Sequence, residues 1–356
     1  MSGFESIIDQ KQPIGILTTL LNSKKIPHAL LFTGIEGVGK HNAAITFAMA
    51  CNCASLDSGQ LSEHDKDVSS ALHHGQKQPV VVIPCGDCRS CKKIQADRHP
   101  DILFIRPTNS FIKIDQIRKL YQTLLLKPYE ATYRVVIISD AQRMNSAASN
   151  AFLKILEEPP DRTVLILTAT KKSDLLQTIV SRCQRIRFRP LSKEAITAEL
   201  FKMEDTNEDD ASVLASMSKG SLSKALSMSR TDWMSRRNWL IKAVGLDQPD
   251  AIGSKQAGLL FSISTQLLQH KDTLEDYLEI ITSWLRDLII FKYEPKKIIH
   301  KDCINKIENV SKTFSIQSLL HKMEAVQSVQ FLIQRSNVNV KLALDTLMYK
   351  LTETTN

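Results

Sequence analysis

The chain has 356 residues, and its 46 Lys and Arg residues against 38 Asp and Glu residues give a formal net charge of +8. Hydrophobic residues make up 43% and charged residues 24%, which excludes a disordered or collagen-like chain. No run of about 18 apolar residues occurs, and the first residues lack a charged-then-apolar leader pattern, so we expect a cytoplasmic chain without a membrane span. The positive charge permits nucleic acid as a neighbour without requiring it.

Residues 1–190 alternate short apolar runs with helical patterns. The runs lie at 29–33, 102–105, 135–138 and 164–167. Continuous apolar strands separated by helices predict a parallel sheet that is covered on both faces. Within this region, 54–82 is polar, rich in His and Ser and without periodicity, so we predict a mobile surface insertion there.

The rest of the chain has helical patterns only. Short stretches, interrupted near Gly220, occupy 191–230, and longer ones occupy 231–356. The clearest repeat at three- and four-residue spacing consists of Leu274, Leu278, Ile281, Leu285 and Leu288. This spacing predicts an amphipathic helix in an all-α region.

A glycine-rich segment follows the first predicted strand and precedes a helix. It reads Gly-Ile-Glu-Gly-Val-Gly-Lys-His and contains Gly34, Gly37, Gly39, Lys40 and His41. The context and the spacing predict a phosphate loop, in which backbone N–H groups, a helix N-terminus and the lysine ammonium face phosphate oxygens. The alternative is a glycine-rich turn with an exposed lysine.

Two positions of this predicted site lack the residue types that ATP hydrolysis requires. The position of His41 normally carries Ser or Thr, whose hydroxyl ligates Mg²⁺, whereas a ring nitrogen is a poor magnesium ligand. The strand at 135–138 is followed by Ser139 and Asp140, so one carboxylate stands where two are expected, for metal and for water. Asp140 could equally be an exposed acid at a strand end or a helix cap.

Two further segments make a family resemblance specific. They are Asn-Ala-Phe-Leu-Lys-Ile-Leu-Glu-Glu-Pro-Pro at 150–160 and Thr-Ile-Val-Ser-Arg-Cys-Gln at 178–184. Together with the phosphate loop, they resemble the clamp-loader subunits of bacterial DNA polymerase III, which are AAA+ proteins. The segments at 99–101 and 113–118 are similar to the delta-prime type rather than to the ATP-hydrolysing tau/gamma type.

The resemblance implies three domains. The first, 1–190, is an α/β P-loop AAA+ domain with a parallel sheet, a zinc-binding module and the insertion at 54–84. A small helical lid follows at 191–230, and 231–356 forms an all-α collar through which subunits assemble. The residues of the last helix that resemble collar residues are Asn337, Lys341, Leu342 and Leu344.

Comparison with the family pattern adds further positions that lack the residues needed for ATP hydrolysis. Ser139 takes the place of the metal-binding Asp, and Asp140 takes the place of the catalytic Glu. Ser223 stands where the lid carries an Arg that reaches the nucleotide. Altered residues at His41, Ser139 and Ser223 together indicate that the chain has lost hydrolysis, while the intact lysine and glycines leave weak binding of ATP or ADP open.

Two other positions keep the residue types of the family. Thr170 lies where the family has its polar sensor residue. Arg182 lies in the Ser-Arg-Cys motif, whose arginine reaches into the ATP site of the neighbouring subunit. A planar guanidinium that is always charged can stabilise a transferring phosphoryl group, so the resemblance implies a catalytic role in trans. The alternative is a strand-edge arginine with a local salt bridge.

Three cysteines lie within seven residues. Cys85, Cys88 and Cys91 are spaced for one metal ion, and tetrahedral Zn²⁺ with four thiolates would be structural. The resemblance implies that the fourth ligand comes from the end of the helix after the phosphate loop, where Cys53 is at the matching distance. Cys51 stays open as an alternative ligand. The alternative to a metal site is that Cys85, Cys88 and Cys91 are free or redox-active thiols. More remote candidates are His64, His73 and His74.

We therefore expect a delta-prime-type clamp-loader subunit that does not hydrolyse ATP and acts as a stator. The implied partners are tau/gamma-type and delta-type subunits, through the collar and the Arg182 face. The sliding clamp and primer-template DNA would be reached through the complex. Two alternatives remain: an active AAA+ ATPase motor subunit that uses Lys40 with Asp140, and a zinc-containing scaffold that binds no nucleotide. We expect basic side chains of the helical region, Lys322 among them, to face solvent.

Overall fold

A computed structural model describes residues 3–57, 83–203, 206–244, 246, 257–269, 273–334 and 339–352. Contacts divide the chain into two compact units. The first comprises 1–195 and 219–223, and the second comprises 196–218 and 224–356. The boundaries of the three domains inferred from the resemblance stay a prediction. Most of the predicted insertion, the three histidines within it and Asn337 lie outside the described residues.

The first unit contains a five-stranded parallel sheet. Its strands are β1 (Ala29–Thr33), β2 (Ile102–Ile105), β3 (Arg134–Ile138), β4 (Thr163–Ala169) and β5 (Gln184–Arg187). Their order in the sheet is β2-β3-β4-β1-β5, and all pairings are parallel. The four predicted apolar runs are therefore confirmed as strands.

Helices cover both faces of this sheet. They are α1 (Lys11–Ser23), α2 (Lys40–Cys51), α3 (Ala54–Asp57), α4 (Arg89–Gln95), α5 (Ile114–Leu124), α6 (Ser146–Glu157) and α7 (Gln177–Val180). The helix α8 (Lys193–Met203) begins in this unit and continues into the second. One core joins Leu30, Phe32 and their neighbours to α1, α2 and α4. The other core joins Leu31 to α5 and α6. Successive strand residues thus enter opposite cores, which confirms the prediction of a doubly covered sheet.

The remaining helices are α9 (Glu208–Met217), α10 (Leu222–Arg230), α11 (Trp233–Ala243), α12 (Ala257–Gln269), α13 (Leu274–Phe291), α14 (Ile304–Thr313), α15 (Ile316–Gln334) and α16 (Val340–Thr352). The five residues of the predicted apolar repeat all lie in α13 and are buried. The C-terminal region is helical, as predicted. None of the helices among the described residues is long and apolar enough to cross a membrane.

Lys322 contradicts the expectation of a solvated lysine, because it is only 2% exposed. Its Nζ lies 2.6 Å from the carbonyl oxygen of Leu351, in the last turn of α16. Carbonyls at a helix C-terminus have no partner within the helix and carry negative partial charge. The buried ammonium therefore caps α16 instead of facing a partner.

A buried ion pair fixes the connection between α5 and β3. The carboxylate of Asp101 accepts hydrogen bonds from the backbone N–H groups of residues 129, 130 and 131, at 2.8–2.9 Å. Arg134 lies 3.6 Å from the same carboxylate and donates to the carbonyls of Thr123, Leu124 and Leu126. Burial raises the pKa of Asp101, but these N–H groups and the guanidinium outweigh burial and hold the pKa below 3.8.

Asp101→Asn should lower the free energy of unfolding by about 3 kcal/mol at pH 7, because it leaves Arg134 buried without its counter-charge. The depressed pKa means that Asp101 contributes stability above pH 3.8, and that this stability is lost as the pH falls through the folded-state pKa. The two proteins should therefore converge in acid. Urea unfolding at several pH values would measure this difference.

Asp115→Asn is the matched control, because Asp115 and Arg118 form an exposed pair at 3.6 Å. An exposed pair contributes at most about 1 kcal/mol. Equal losses from the two substitutions would contradict the role assigned to Asp101.

Candidate functional site

The phosphate loop connects β1 to α2. Gly39 immediately precedes the helix with φ +94°, and Gly37 has φ +77°. Both angles lie in the left-handed region, where a residue with a Cβ is strained. A Cβ on Gly37 would also lie 2.3 Å from Ser221 Oγ. The loop therefore requires glycine at Gly37 both for its backbone angle and for space.

Lys40 is the first residue of α2, and its side chain turns back into the loop. Its Nζ donates to the carbonyl oxygens of Gly34 and Ile35, the latter at 2.7 Å. Burial lowers its pKa, while the charges of Asp140 and Glu36 oppose that shift. The lysine predicted to face phosphate thus lies at the loop, with its ammonium bonded to the loop's own backbone.

His41 follows Lys40 and is half-buried. Its ring lies 6.1 Å from the ring of Phe104, measured between centroids. Burial lowers the pKa of His41, and the charge of Arg106 lowers it further. The side chain at this position is therefore a neutral ring and not the hydroxyl that would ligate Mg²⁺.

The carboxyl ends of β3 and β4 bring the next predicted residues together. Asp140 has φ +52°, and its N–H donates to Thr168 Oγ1 at 3.1 Å. Gln142 Nε2 lies 3.4 Å from Asp140 Oδ1 and 3.5 Å from Thr170 Oγ1. Asp140 and Thr170 are thus neighbours through Gln142, a residue that the sequence reasoning did not select. Ser139 donates its N–H to the carbonyl of Ile105.

The segment 219–223 packs directly on the phosphate loop. The N–H of Leu222 donates to the carbonyl of Gly37 at 3.1 Å. A Cβ on Gly37 would lie 2.9 Å from Ser223 Cβ. Ser223 is therefore at the loop, where the family pattern has its lid arginine, and it brings no cation there.

Arg182 lies just before β5 on the surface. One guanidinium nitrogen donates to Glu157 Oε1 at 2.9 Å, and the other donates to the carbonyl of Thr178 at 3.0 Å. The side chain is 38% exposed. An ion pair this exposed contributes little to stability, so the guanidinium can exchange partners at small cost. Glu157 belongs to the quoted motif at 150–160, but its pairing with Arg182 was not expected from the motif.

Four cysteine thiols converge near the end of α2. The Sγ atoms of Cys53, Cys85, Cys88 and Cys91 all lie within 4.8 Å of one another, so this group could hold a metal ion. Three backbone N–H groups donate to sulfur: residue 85 to Cys53, 88 to Cys85 and 91 to Cys88, at 3.3–3.4 Å. Tetrahedral Zn²⁺ with Zn–S bonds of about 2.3 Å places the sulfurs about 3.8 Å apart, so the group fits this ion.

Burial and hydrogen bonding act in opposite directions on these thiols. Burial raises the pKa of Cys53 and Cys91. Burial also raises the pKa of Cys85, but hydrogen bonds from the Ser55 hydroxyl and from the backbone outweigh it and lower that pKa to about 6. Cys51 is buried in the core two residues before Cys53 and is not in the group. The structure therefore brings Cys53, and not Cys51, to the other three.

This sheet order, with a phosphate loop after β1, defines an AAA+-type P-loop domain. Comparison with known families makes the assignment specific. The model described as "DNA polymerase III, delta subunit" matches residues 9–83 and 58–192, and a second model, for the C-terminal part of the delta subunit, matches 250–353. The chain belongs to this family of DNA polymerase III subunits, and the resemblance stated from the sequence is confirmed.

Individual relatives span different shares of the chain. It is 28% identical to DNA polymerase III subunit delta' of Bacillus subtilis over 349 residues, 97% of this chain and 96% of that protein. It is 32% identical to subunit tau of B. subtilis over 63% of this chain and 37% of that protein. A gamma subunit-related protein of Thermotoga maritima aligns in structure with 19% identity and a TM-score of 0.44, covering 96% of this chain and 99% of that one.

Proposed function

We propose that the chain is a delta-prime-type subunit of a DNA polymerase III clamp loader that does not itself hydrolyse ATP. The observation that carries the proposal is the composition of the phosphate site. Lys40 and the loop glycines are present, but His41, Ser139 and Ser223 occupy the positions that would hold Mg²⁺ and the terminal phosphate. ATP or ADP would bind weakly, through Lys40 and the backbone of the loop.

We propose that Arg182 acts in the ATP site of a neighbouring tau/gamma-type subunit. Its guanidinium is on the surface, and its partner Glu157 is half-exposed. When the neighbour docks, the guanidinium would exchange the carboxylate for the phosphoryl oxygens of the bound ATP. Positive charge placed there stabilises the negative charge that develops during phosphoryl transfer.

In this proposal the four-cysteine group holds a structural Zn²⁺ that ties the end of α2 to α4. Four protein ligands leave no open position for water, so the ion supplies stability and no reaction step. The helices of 231–356 would join the chain to tau/gamma-type and delta-type subunits. The assembled complex, acting in the cytoplasm, would load the sliding clamp on primer-template DNA.

The purified chain should show no ATP turnover above background, because His41 offers no oxygen to Mg²⁺ and Ser139 lacks the carboxylate of a metal-binding Asp. Mixed with its tau/gamma-type and delta-type partners, it should raise the turnover of the complex. Steady-state ATP hydrolysis of the chain, the partners and the mixture measures both effects.

The alternative is an active motor that uses Lys40 with Asp140 as a displaced metal or water ligand; the charge of Asp140 raises the pKa of Lys40 against the effect of burial. Turnover by the chain alone that disappears on Lys40→Ala would establish that motor and overturn the proposed stator.

A further inference from the structure

Trp239 on α11 lines two cavities and is 40% exposed. The larger cavity, of about 600 Å³, extends to the end of α12 and the start of α13 and includes Tyr277 in its wall. The smaller, of about 270 Å³, extends to Trp284 and Cys303. We call the two cavities together the Trp239 groove. Other residues of α11, such as Leu240, are fully buried, so Trp239 lies outside the core face of the helix, where exposed indoles are typical of binding surfaces.

Buried contacts fix the walls of the Trp239 groove. The ring of Tyr277 is almost fully buried and meets the indole edge-on, with 6.3 Å between the ring centroids. The buried Arg237 donates to Asp302 Oδ1 at 3.0 Å and lies 3.2 Å from His300 Nδ1. These contacts join α11 to the segment that carries Cys303. The groove is therefore preformed, and a ligand would lose little affinity to the ordering of its walls.

The charges that line the groove are mainly positive. Lys242 and Lys306 line the smaller cavity; both are exposed, and neither has an ion-pair partner within the described part of the chain. Arg236 and Asp232 line the larger cavity. Among the described residues that line the groove, three are thus cations and one is a carboxylate. The segment 292–312, which supplies Lys306, contains six lysines against three acidic residues. The groove therefore favours an anionic ligand.

A nucleic-acid strand has both kinds of group that this groove can bind. Planar bases stack on an exposed indole, and phosphates are attracted to lysines. Because Trp239 lines both cavities, it can contact two successive bases, one in each cavity. Asn238 Oδ1 accepts two hydrogen bonds from Arg237, at 2.8 and 3.1 Å, so its amide NH2 group is left to donate to a base edge. In a duplex the base faces are covered by the stack, so the strand that fits is single.

We propose that the Trp239 groove binds single-stranded DNA. Two successive bases contact the indole, and their phosphates contact Lys242, Lys306 and Arg236. The proposal rests on the proposed function for the source of the strand, which on primed DNA is the unpaired template ahead of the primer. The residues of the groove all belong to the second compact unit, whereas the phosphate loop belongs to the first.

Fluorescence anisotropy of a labelled oligothymidylate of about 16 nucleotides measures strand binding by the full chain. Trp239→Ala should raise the Kd at least about fivefold, the low end of what the loss of one base–aromatic stack causes. Trp239→Phe should retain most of the affinity, because it keeps a ring for stacking. Lys242→Ala with Lys306→Ala should raise the Kd and lower the slope of log Kd against log salt concentration by about 1.4, because each phosphate contact on a single strand contributes about 0.7.

Two matched controls accompany these variants. Phe201→Ala is the control for the indole, since Phe201 is 48% exposed on α8 and lines neither cavity. Lys24→Ala with Lys25→Ala makes the same change of net charge at exposed positions directly after α1. Both controls should leave the Kd within twofold of the parent. Thermal unfolding midpoints establish that each variant is folded.

Absence of strand binding by the parent chain, or equal weakening by Phe201→Ala and Trp239→Ala, would overturn the proposal. Competition by thymidine monophosphate at the same nucleotide concentration as the strand would also overturn it, because the groove would then take a free nucleotide. The same holds if Trp239→Ala blocked assembly with tau/gamma-type partners and left strand binding intact, because the groove would then be a subunit contact. ATP turnover that depends on Arg182 tests the proposed function separately, on the assembled complex, and strand binding by the isolated chain decides this proposal in either case.

Discussion

Arg182→Ala should lower the ATP turnover of the clamp-loader complex by roughly 10³-fold at each site that depends on it, the low end of what an arginine supplied in trans contributes in nucleotide hydrolases. The chain itself should keep its stability, because the bond from Arg182 to Glu157 is an exposed ion pair. Loss of turnover without loss of folding or assembly is the expected pattern for a group that acts only on the neighbour's phosphoryl transfer.

Single-turnover ATP hydrolysis by the reconstituted complex would measure this loss, since it separates the chemical step from product release. Arg182→Lys should be almost as slow as the alanine variant, because an ammonium lacks the planar fork of donors. Arg187→Ala is the matched control, an exposed arginine on the adjacent strand β5 that should leave the rate unchanged. Turnover within threefold of the parent in a fully assembled Arg182→Ala complex would establish Arg182 as a local structural residue.

Removal of zinc should destabilise the first unit by at least about 3 kcal/mol, since structural zinc sites contribute about 10–16 kcal/mol of binding free energy in small peptides and this unit also has its own hydrophobic cores. Cys91→Ser should have the same effect, because Cys91 is fully buried among the other ligands. Cys51→Ala should retain the metal, because its thiol lies outside the group.

Metal analysis of the purified chain should return one zinc per chain for the parent and for Cys51→Ala, and less for Cys91→Ser. Thermal unfolding with and without a chelator should show a lower midpoint after chelation, and the difference should shrink as the pH falls because protons compete for the thiolates and weaken zinc binding. An unchanged midpoint in a chain shown to have lost its metal would mean that the group is not structural.

The fold was predictable where the chemistry is local. Four strands contain continuous apolar runs, and three of them, β1, β3 and β4, are buried on both faces, so composition alone marks them. The fifth strand, β5, was missed because it is Gln-Arg-Ile-Arg at an edge of the sheet, with only Ile186 buried. Lys322 was misjudged for a related reason: its role as a cap on α16 depends on a contact with Leu351, 29 residues away in sequence.

The residue types of the site could be predicted from the sequence, but the arrangement of these residues in space could be predicted only in part. The glycines, the lysine and the three clustered cysteines have spacings that imply their chemistry. The choice between Cys51 and Cys53 depends on where α2 ends and which side chain enters the core, which spacing alone does not determine. Ser221 packs on Gly37, although the two residues are far apart in sequence, and no local sequence pattern predicts such a contact.

The bonds of Lys40 to the carbonyls of Gly34 and Ile35 place a nucleotide in competition with the protein's own backbone. A phosphate that drew this ammonium away from the carbonyls would have to replace one or both of these bonds. Hydrogen bonds to charged groups contribute about 1.5–3 kcal/mol each, so the exchange would lower affinity at least about tenfold relative to a loop whose lysine is unengaged. The loop thus binds its own lysine, and its shape should stay constant across the range of cellular ATP and ADP concentrations.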